Sequence, residues 1–299
     1  MSKSLLQYAA QYDPAVQGLA QTINNTSILM GLVPVEKVEG LVHRFGTVTY
    51  EGGVSTRALN APFPTTPGST IAPGAERVII AGRQSKCDVR MERARPDEIT
   101  RATRAVSRFI DYQLLRGAGL TNQEKLVGLE AALVGDQVVI NVTNGAVLDL
   151  DRFDAMLDAV EDQGAGRFVV MNRKTARQLK QELVTDAGGA SFADLTGVVG
   201  EYEGVKLIVA GKDHNGDELL PFTETCGTSE VTCSAYCFAP GPDSEEKSGF
   251  KILMASNGIQ LINEGIRDSQ YVDTVEVAFG RAIYHPRCVA RLMGIAAAS

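Results

Sequence analysis

Tryptophan is absent from this chain of 299 residues, and histidine occurs only at His43, His214 and His285. That scarcity weighs against acid–base or triad catalysis, which most often places a histidine beside a nucleophile. The three histidines also fall in segments of different pattern. No G-x-S-x-G elbow, P-loop, H-E-x-x-H or strand-borne G-x-G-x-x-G occurs. His285 precedes Pro286 and reads as a turn residue satisfied by backbone rather than as a base. No apolar run is long enough to span a bilayer, and the first twelve residues lack a charged-then-apolar leader, so a cytosolic origin without membrane attachment is expected. Positive charge is also in deficit: 29 Lys and Arg stand against 36 Asp and Glu, for a net charge of −7. This argues against a dedicated nucleic-acid-binding protein, although a basic patch can sit inside an acidic average.

Cysteine is sparse and unpaired. Cys87, Cys226, Cys233, Cys237 and Cys288 make an odd set with no C-x-x-C, and a tetrahedral zinc site usually shows tighter ligand pairs. Cys226 and Cys233 flank GTSEVT, a hairpin candidate, and a bridge between them stays open if their Cα atoms approach. Idle buried thiols are the expectation for a cytosolic chain. The remaining metal candidate is the run from Asp213, in which Asp213, Asn215, Asp217 and Glu224 take positions 1, 3, 5 and 12 of a calcium loop. Position 6 is Glu218 where glycine is wanted, and Asn215-Gly216 is a strong turn pair, so a surface turn is the reading. No cofactor is expected.

What the sequence does contain is a long helix at Arg95–Arg116. Pro96 suits a first turn, Asp97 and Glu98 complement the positive helix end, and Ile99, Ala102, Val106, Ile110 and Leu114 make one apolar stripe. Arg101, Arg104 and Arg108 stand three and four apart on another face, and Gly117 and Gly119 end the helix. A helix of about 20 residues is roughly 30 Å long, the length of a strut.

Before the strut come two short helical patterns, Leu5–Tyr12 and Pro14–Ile23, and an apolar run at Ile28–Val33 that is too small to fold alone. From Gly40 to Arg93 the pattern is strand, loop, strand. Val42–Tyr50 goes out, Arg77–Val89 is expected to return, and Asn60–Gly74 carries four prolines and reads as an irregular tip. Strands of about 13 residues reach roughly 40 Å, and such a hairpin needs a partner surface, expected to be another copy of the chain.

After the strut, strands are expected at Val138–Val142, Arg167–Met171, Val205–Val209, Tyr236–Phe238, Phe250–Met254 and Tyr271–Tyr284. Helices are expected at Asp149–Glu161 and from the Asn172 cap to Leu183, giving an α+β class.

Taken together, the short N-terminal arm, the proline-tipped hairpin, the strut, FVVMNRKTARQLK, GVKLIVAG and the ending VAFGRAIYHPRCVARLMGI resemble the major capsid proteins of tailed bacteriophages, the Hong Kong 97-type fold. The likeness covers nearly the whole chain, and Gly280–Ile295 is its most specific piece. It implies an N-arm at 1–39, an E-loop at 40–94, a P-domain at 95–137 whose spine helix is 95–116, an A-domain at 138–268, and a return to the P-domain at 269–299.

The implied function is structural: a virion shell subunit that forms pentamers and hexamers around double-stranded DNA and is assembled in the host bacterial cytoplasm. The E-loop tip, with Phe63, Pro64 and Pro67, would lie on a neighbour, and the N-arm would tie capsomers. Because the sequence begins at Met1 with a short arm, a separate scaffolding protein, or none, is expected, beside a portal and decoration proteins. Some members cross-link a hairpin lysine to an asparagine, but Lys86 sits far from the tip, so that chemistry is not carried over. Arg101, Arg104 and Arg108 would meet DNA phosphates, pair with acids such as Asp97 or Asp111 of the same or another copy, or form a plain solvated face. An encapsulin-type compartment shell is the nearest alternative reading, and a soluble α+β enzyme the more distant one.

Overall fold

The computed structural model describes residues 3–50, 54–59, 61–63, 70–119, 124–162, 164–186, 199–242 and 248–297. Helices α1 (Leu5–Ala9), α2 (Pro14–Thr26) and α3 (Ile28–Leu32) lead into strand β1 (Val35–Val38). Strands β2 (Val42–Tyr50), β3 (Thr70–Arg77) and β4 (Ile79–Asp88) then precede the long helix α4 (Arg95–Arg116). Next come α5 (Leu129–Ala132), β5 (Val138–Ile140), α6 (Leu150–Asp158), β6 (Phe168–Met171) and α7 (Arg173–Asp186). The chain continues with β7 (Val199–Tyr202), β8 (Val205–Val209), β9 (Glu224–Cys226) and β10 (Ser229–Phe238). It ends with β11 (Phe250–Arg267), β12 (Gln270–Ile283) and β13 (Val289–Ala296).

These strands form three sheets. One has the order β1-β11-β12-β4, another β5-β13-β10-β6-β8-β7 with β9 on β10, and the third is the pair β2-β3. Helix α4 lies on β4 and β12, and α2 packs against both α4 and β11. The apolar stripe of α4 is buried at Ala102, Val106, Ile110 and Leu114. Thr103 and Ser107 are buried beside it, and each hydroxyl donates to a carbonyl four residues back, at 2.8 and 2.7 Å, which satisfies them without a partner from the core. Arg95 ties the start of α4 to β12 through a two-pronged contact with Asp273, at 2.6 and 2.7 Å.

Several sequence expectations change here. The outgoing strand Val42–Tyr50 returns through Thr70–Arg77, with Pro73 opposite Gly46, so part of the expected tip is strand. An isolated two-stranded pair tolerates proline because its outer edge owes no hydrogen bond to a third strand. Strand β4, expected to be the return, instead pairs with β12 along its whole length, from Gln270↔Asp88 to Phe279↔Ile79.

The strand expected at Phe250–Met254 runs on to Arg267, past register shifts between Met254 and Ile259 and between Asn263 and Gly265. Those bulges break the period-2 pattern that marks a strand in sequence. As a result β11, within the stretch read as A-domain, belongs to the sheet that carries α4. Strand β13, within the stretch read as the return to the P-domain, lies between β5 and β10 in the other large sheet. The N-terminal arm is also packed at home. Leu5, Tyr8, Ile23 and Leu29 are buried, and Tyr8 Oη donates to Ala255 O at 2.6 Å while accepting from Gly258 N at 3.0 Å.

Candidate functional site and assembly surfaces

The root of the β2-β3 hairpin is held by a small second core of Val38, Val78, Leu253, Ala282 and Tyr284, with Phe45 packed against it. Tyr284 Oη donates to Glu36 Oε2 at 2.7 Å, and His43 Nε2 lies 3.0 Å from the same hydroxyl. Phe45 meets Tyr284 edge-on, with ring centroids 5.0 Å apart. Arg281 is fully buried under the root, its Nη2 3.7 Å from Glu76 Oε1 on β3, and burial holds the Glu76 carboxyl above its usual range. Where β3 passes into β4 the chain crosses β12 at Gly280, and a Cβ there would sit 2.5 Å from Arg77 O. Only glycine fits that crossing.

The far end of the hairpin contrasts with its root. Val54 is 99% exposed, Leu59 93% and Phe63 67%, with the Arg57 guanidinium 5.2 Å over the Phe63 ring. Of the expected tip residues, Phe63 is described and exposed, whereas Pro64 and Pro67 lie outside the described residues. The chain thus anchors the base of the hairpin and leaves its apolar end uncovered.

Arg101, Arg104 and Arg108 of α4 differ in their surroundings. Arg101 Nη1 donates to Glu98 Oε1 at 2.6 Å on an exposed turn. Arg104 and Arg108 are exposed and border a groove that also includes Asp111, Lys212 and the end of α2. Asp111, considered from the sequence as an ion-pair partner for them, is committed elsewhere. Its carboxylate accepts from Ser27 Oγ at 2.6 Å, Ile28 N at 2.9 Å and Leu29 N at 3.2 Å, capping α3 from another helix. Full burial pushes it up to about 6 in spite of those three donors.

The calcium-loop residues are not brought together. Asp213 Oδ1 accepts from Asn215 N at 2.8 Å and Asp217 N at 3.0 Å, which makes the region a closed Asx-type turn with Gly216 at φ +95°. Glu224 is buried in the other large sheet, where it accepts from Arg291 Nη2 at 2.8 Å and from the Ser234 hydroxyl. Among the described residues no group of three His, Cys, Asp or Glu could hold a metal ion. The Arg291 network went unread because its members come from β9, β10 and β13, which no sequence spacing links.

Cys226 and Cys233 do flank a hairpin, but each is a free, buried thiol with its own neighbour. Cys233 Sγ is 3.2 Å from Thr175 Oγ1, and Cys226 Sγ points to Val142 O. Burial pushes the Cys233, Cys237 and Cys288 thiols up to about 12, far from thiolate character. The histidines are separated as well: His43 is at the hairpin root, His214 packs edge-on to Phe109 at 4.9 Å, and His285 Nδ1 accepts from Arg287 N at 3.1 Å. Among the described residues no helix is long and apolar enough to cross a membrane.

Comparison with known proteins gives a fold but no sequence family. No family model matches the chain, and no curated protein matches it. Solved structures do. The holo-SrpI encapsulin complex of Synechococcus elongatus is 14% identical with a TM-score of 0.63, covering 91% of this chain and 88% of that one. A structure of Mycobacterium phage Ogopogo is 16% identical with a TM-score of 0.58, covering 90% and 92%. The capsid of cyanophage A-1(L) is 13% identical with a TM-score of 0.58, covering 96% of each chain. The chain therefore has the Hong Kong 97-type fold that the sequence resemblance implied, shared with proteins of phage capsids and an encapsulin shell.

Proposed function

We propose that this chain is the repeating structural subunit of a tailed-phage capsid, assembling into pentamers and hexamers that enclose double-stranded DNA. The observation that carries this reading is the end-to-end likeness to the cyanophage capsid, which spans 96% of each chain. The uncovered Val54, Leu59 and Phe63 support it physically, since apolar side chains held away from their own core gain burial when a second copy covers them. Repetition of modest contacts by symmetry then makes a shell stronger than any single interface. Separate scaffolding, portal and decoration proteins would act with it, and its place would be the virion shell.

The likeness to the encapsulin supports a second reading, a compartment shell with protein cargo. Negative-stain electron microscopy of the purified protein, expressed alone and with its neighbouring genes, tests both. Closed shells or flat capsomers support the shell reading, and nucleic acid inside chooses the phage. A stable monomer under every condition overturns it and returns attention to an α+β enzyme.

A further inference from the structure

Between the end of α2, the middle of α4 and the turn after β8 lies a groove of about 510 Å³ bordered by Asn25, Thr26, Arg104, Arg108, Asp111 and Lys212. Its charges do not cancel. Among the described residues, Arg104, Arg108 and Lys212 are each without an ion pair, whereas Arg101 on the same helix is neutralised by Glu98. The groove's own carboxylate, Asp111, is saturated by Ser27, Ile28 and Leu29. Of the acids in the adjoining turn, Asp213 takes two backbone N–H groups, Glu218 accepts from Asn172 Nδ2 at 2.9 Å, and Asp217 is exposed. Three cations from two elements therefore border one opening against a single lining carboxylate, Asp111, whose acceptor oxygens are already taken.

We propose that this groove is a binding site for phosphates of the duplex DNA backbone, a reading that rests on the phage-capsid function above. Arg104 and Arg108 are one turn apart, about 6 Å along the helix axis, within two steps of a strand whose charges rise about 3.4 Å each. Lys212, on the turn after β8, adds a point charge, while the Asn25 amide and Thr26 hydroxyl supply neutral hydrogen-bonding groups in the same lining. The lining mixes these polar groups with Ile28, Val209 and Leu219; a phosphate backbone uses the cations and needs no apolar contact, and an acidic helix is the competitor that the peptide control below tests. No base edge is read, so binding is independent of sequence.

The test is fluorescence anisotropy of unassembled subunits with a 20-base-pair duplex across a salt series, paired with electron microscopy of shells from the same variants. The triple variant Arg104→Ala/Arg108→Ala/Lys212→Ala is expected to bind at least tenfold more weakly at low salt. Its log–log salt slope should fall by about 2 to 3, roughly one for each phosphate no longer neutralised. Arg104→Lys/Arg108→Lys should keep the slope, which a folding defect would not, and Arg101→Ala should match wild type. A triple variant with wild-type slope and affinity overturns the site, as does wild type that binds a glutamate-rich peptide more tightly than the duplex. Shells with unchanged DNA binding sink this site alone, whereas failure of wild type to form shells sinks the capsid reading beneath it.

Discussion

Asp111, in the fifth turn of α4, caps a helix that begins 83 residues earlier in the chain, with Ser27 Oγ 2.6 Å from its Oδ1 and Ile28 N 2.9 Å from its Oδ2. A carboxylate at a helix N-terminus meets unpaired N–H groups and the positive end of the dipole, and this one joins the N-terminal arm to the strut. Asp111→Ala should cost the unassembled subunit about 1–3 kcal/mol, because Ser27, Ile28 and Leu29 lose their acceptor in a buried place. Urea unfolding measures it. An unchanged midpoint would mean that water replaces the carboxylate.

The same residue sets a pH dependence. Its folded value is raised to about 6 from an ordinary 3.8. Between those values the folded chain holds a proton that the unfolded chain has released. The resulting stability is therefore full below about pH 4 and is lost as pH rises through 6. Two pH units correspond to about 3 kcal/mol. Wild type should gain up to that amount relative to Asp111→Asn between pH 7 and pH 4, and parallel stability curves for the two would contradict the assignment.

At the hairpin's exposed end, Val54→Ser/Leu59→Ser/Phe63→Ser should leave subunit unfolding within about 0.5 kcal/mol of wild type, as is usual for surface changes. Assembly should fail, since burial of each such side chain at an interface contributes about 1.5–3 kcal/mol. Sedimentation velocity would separate subunits from shells. Normal shells from this variant would move the interface elsewhere.

Gly280 is the point where β12 passes under the hairpin root, and its missing Cβ leaves room for Arg77 O. Gly280→Val should cost about 1–3 kcal/mol or more by forcing the two segments apart. Because the displaced segment carries the hairpin, shell yield should fall further than stability does. Thermal unfolding and particle counts on the same sample compare the two.

The turn joining β11 to β12 has Asp268 and Ser269 both at positive φ, 49° and 62°, between the paired residues Arg267 and Gln270. Such a two-residue hairpin turn favours asparagine followed by glycine. Ser269→Gly should stabilise the subunit by about 0.5–1 kcal/mol by removing the left-handed strain, and Asp268→Asn should be neutral or slightly stabilising. A loss of stability in Ser269→Gly would show that the strain is smaller than the added freedom of the unfolded chain.

Much of the fold was legible along the chain because burial leaves a local period. The stripe Ile99–Leu114, with Pro96 before it and Gly117 after it, marks α4 at its observed bounds Arg95–Arg116, Asn172 is seen capping α7 with its Oδ1 2.8 Å from Lys174 N, and the four-residue strand β6 is apolar throughout because both its faces are covered. What the sequence by itself determined was therefore which residues face inward and where helices begin and end, since both follow from neighbours a few positions away. Only the tertiary structure decided that Ile79–Asp88 pairs with β12 and not with β2, and that Glu224 meets Arg291 and not a cation beside Asp213. It likewise decided that Asp111 turns to Ser27 and leaves Arg104 and Arg108 without a carboxylate. Alternation tells a strand which face to bury but not against which strand, and a buried charge takes whichever partner packing brings nearest.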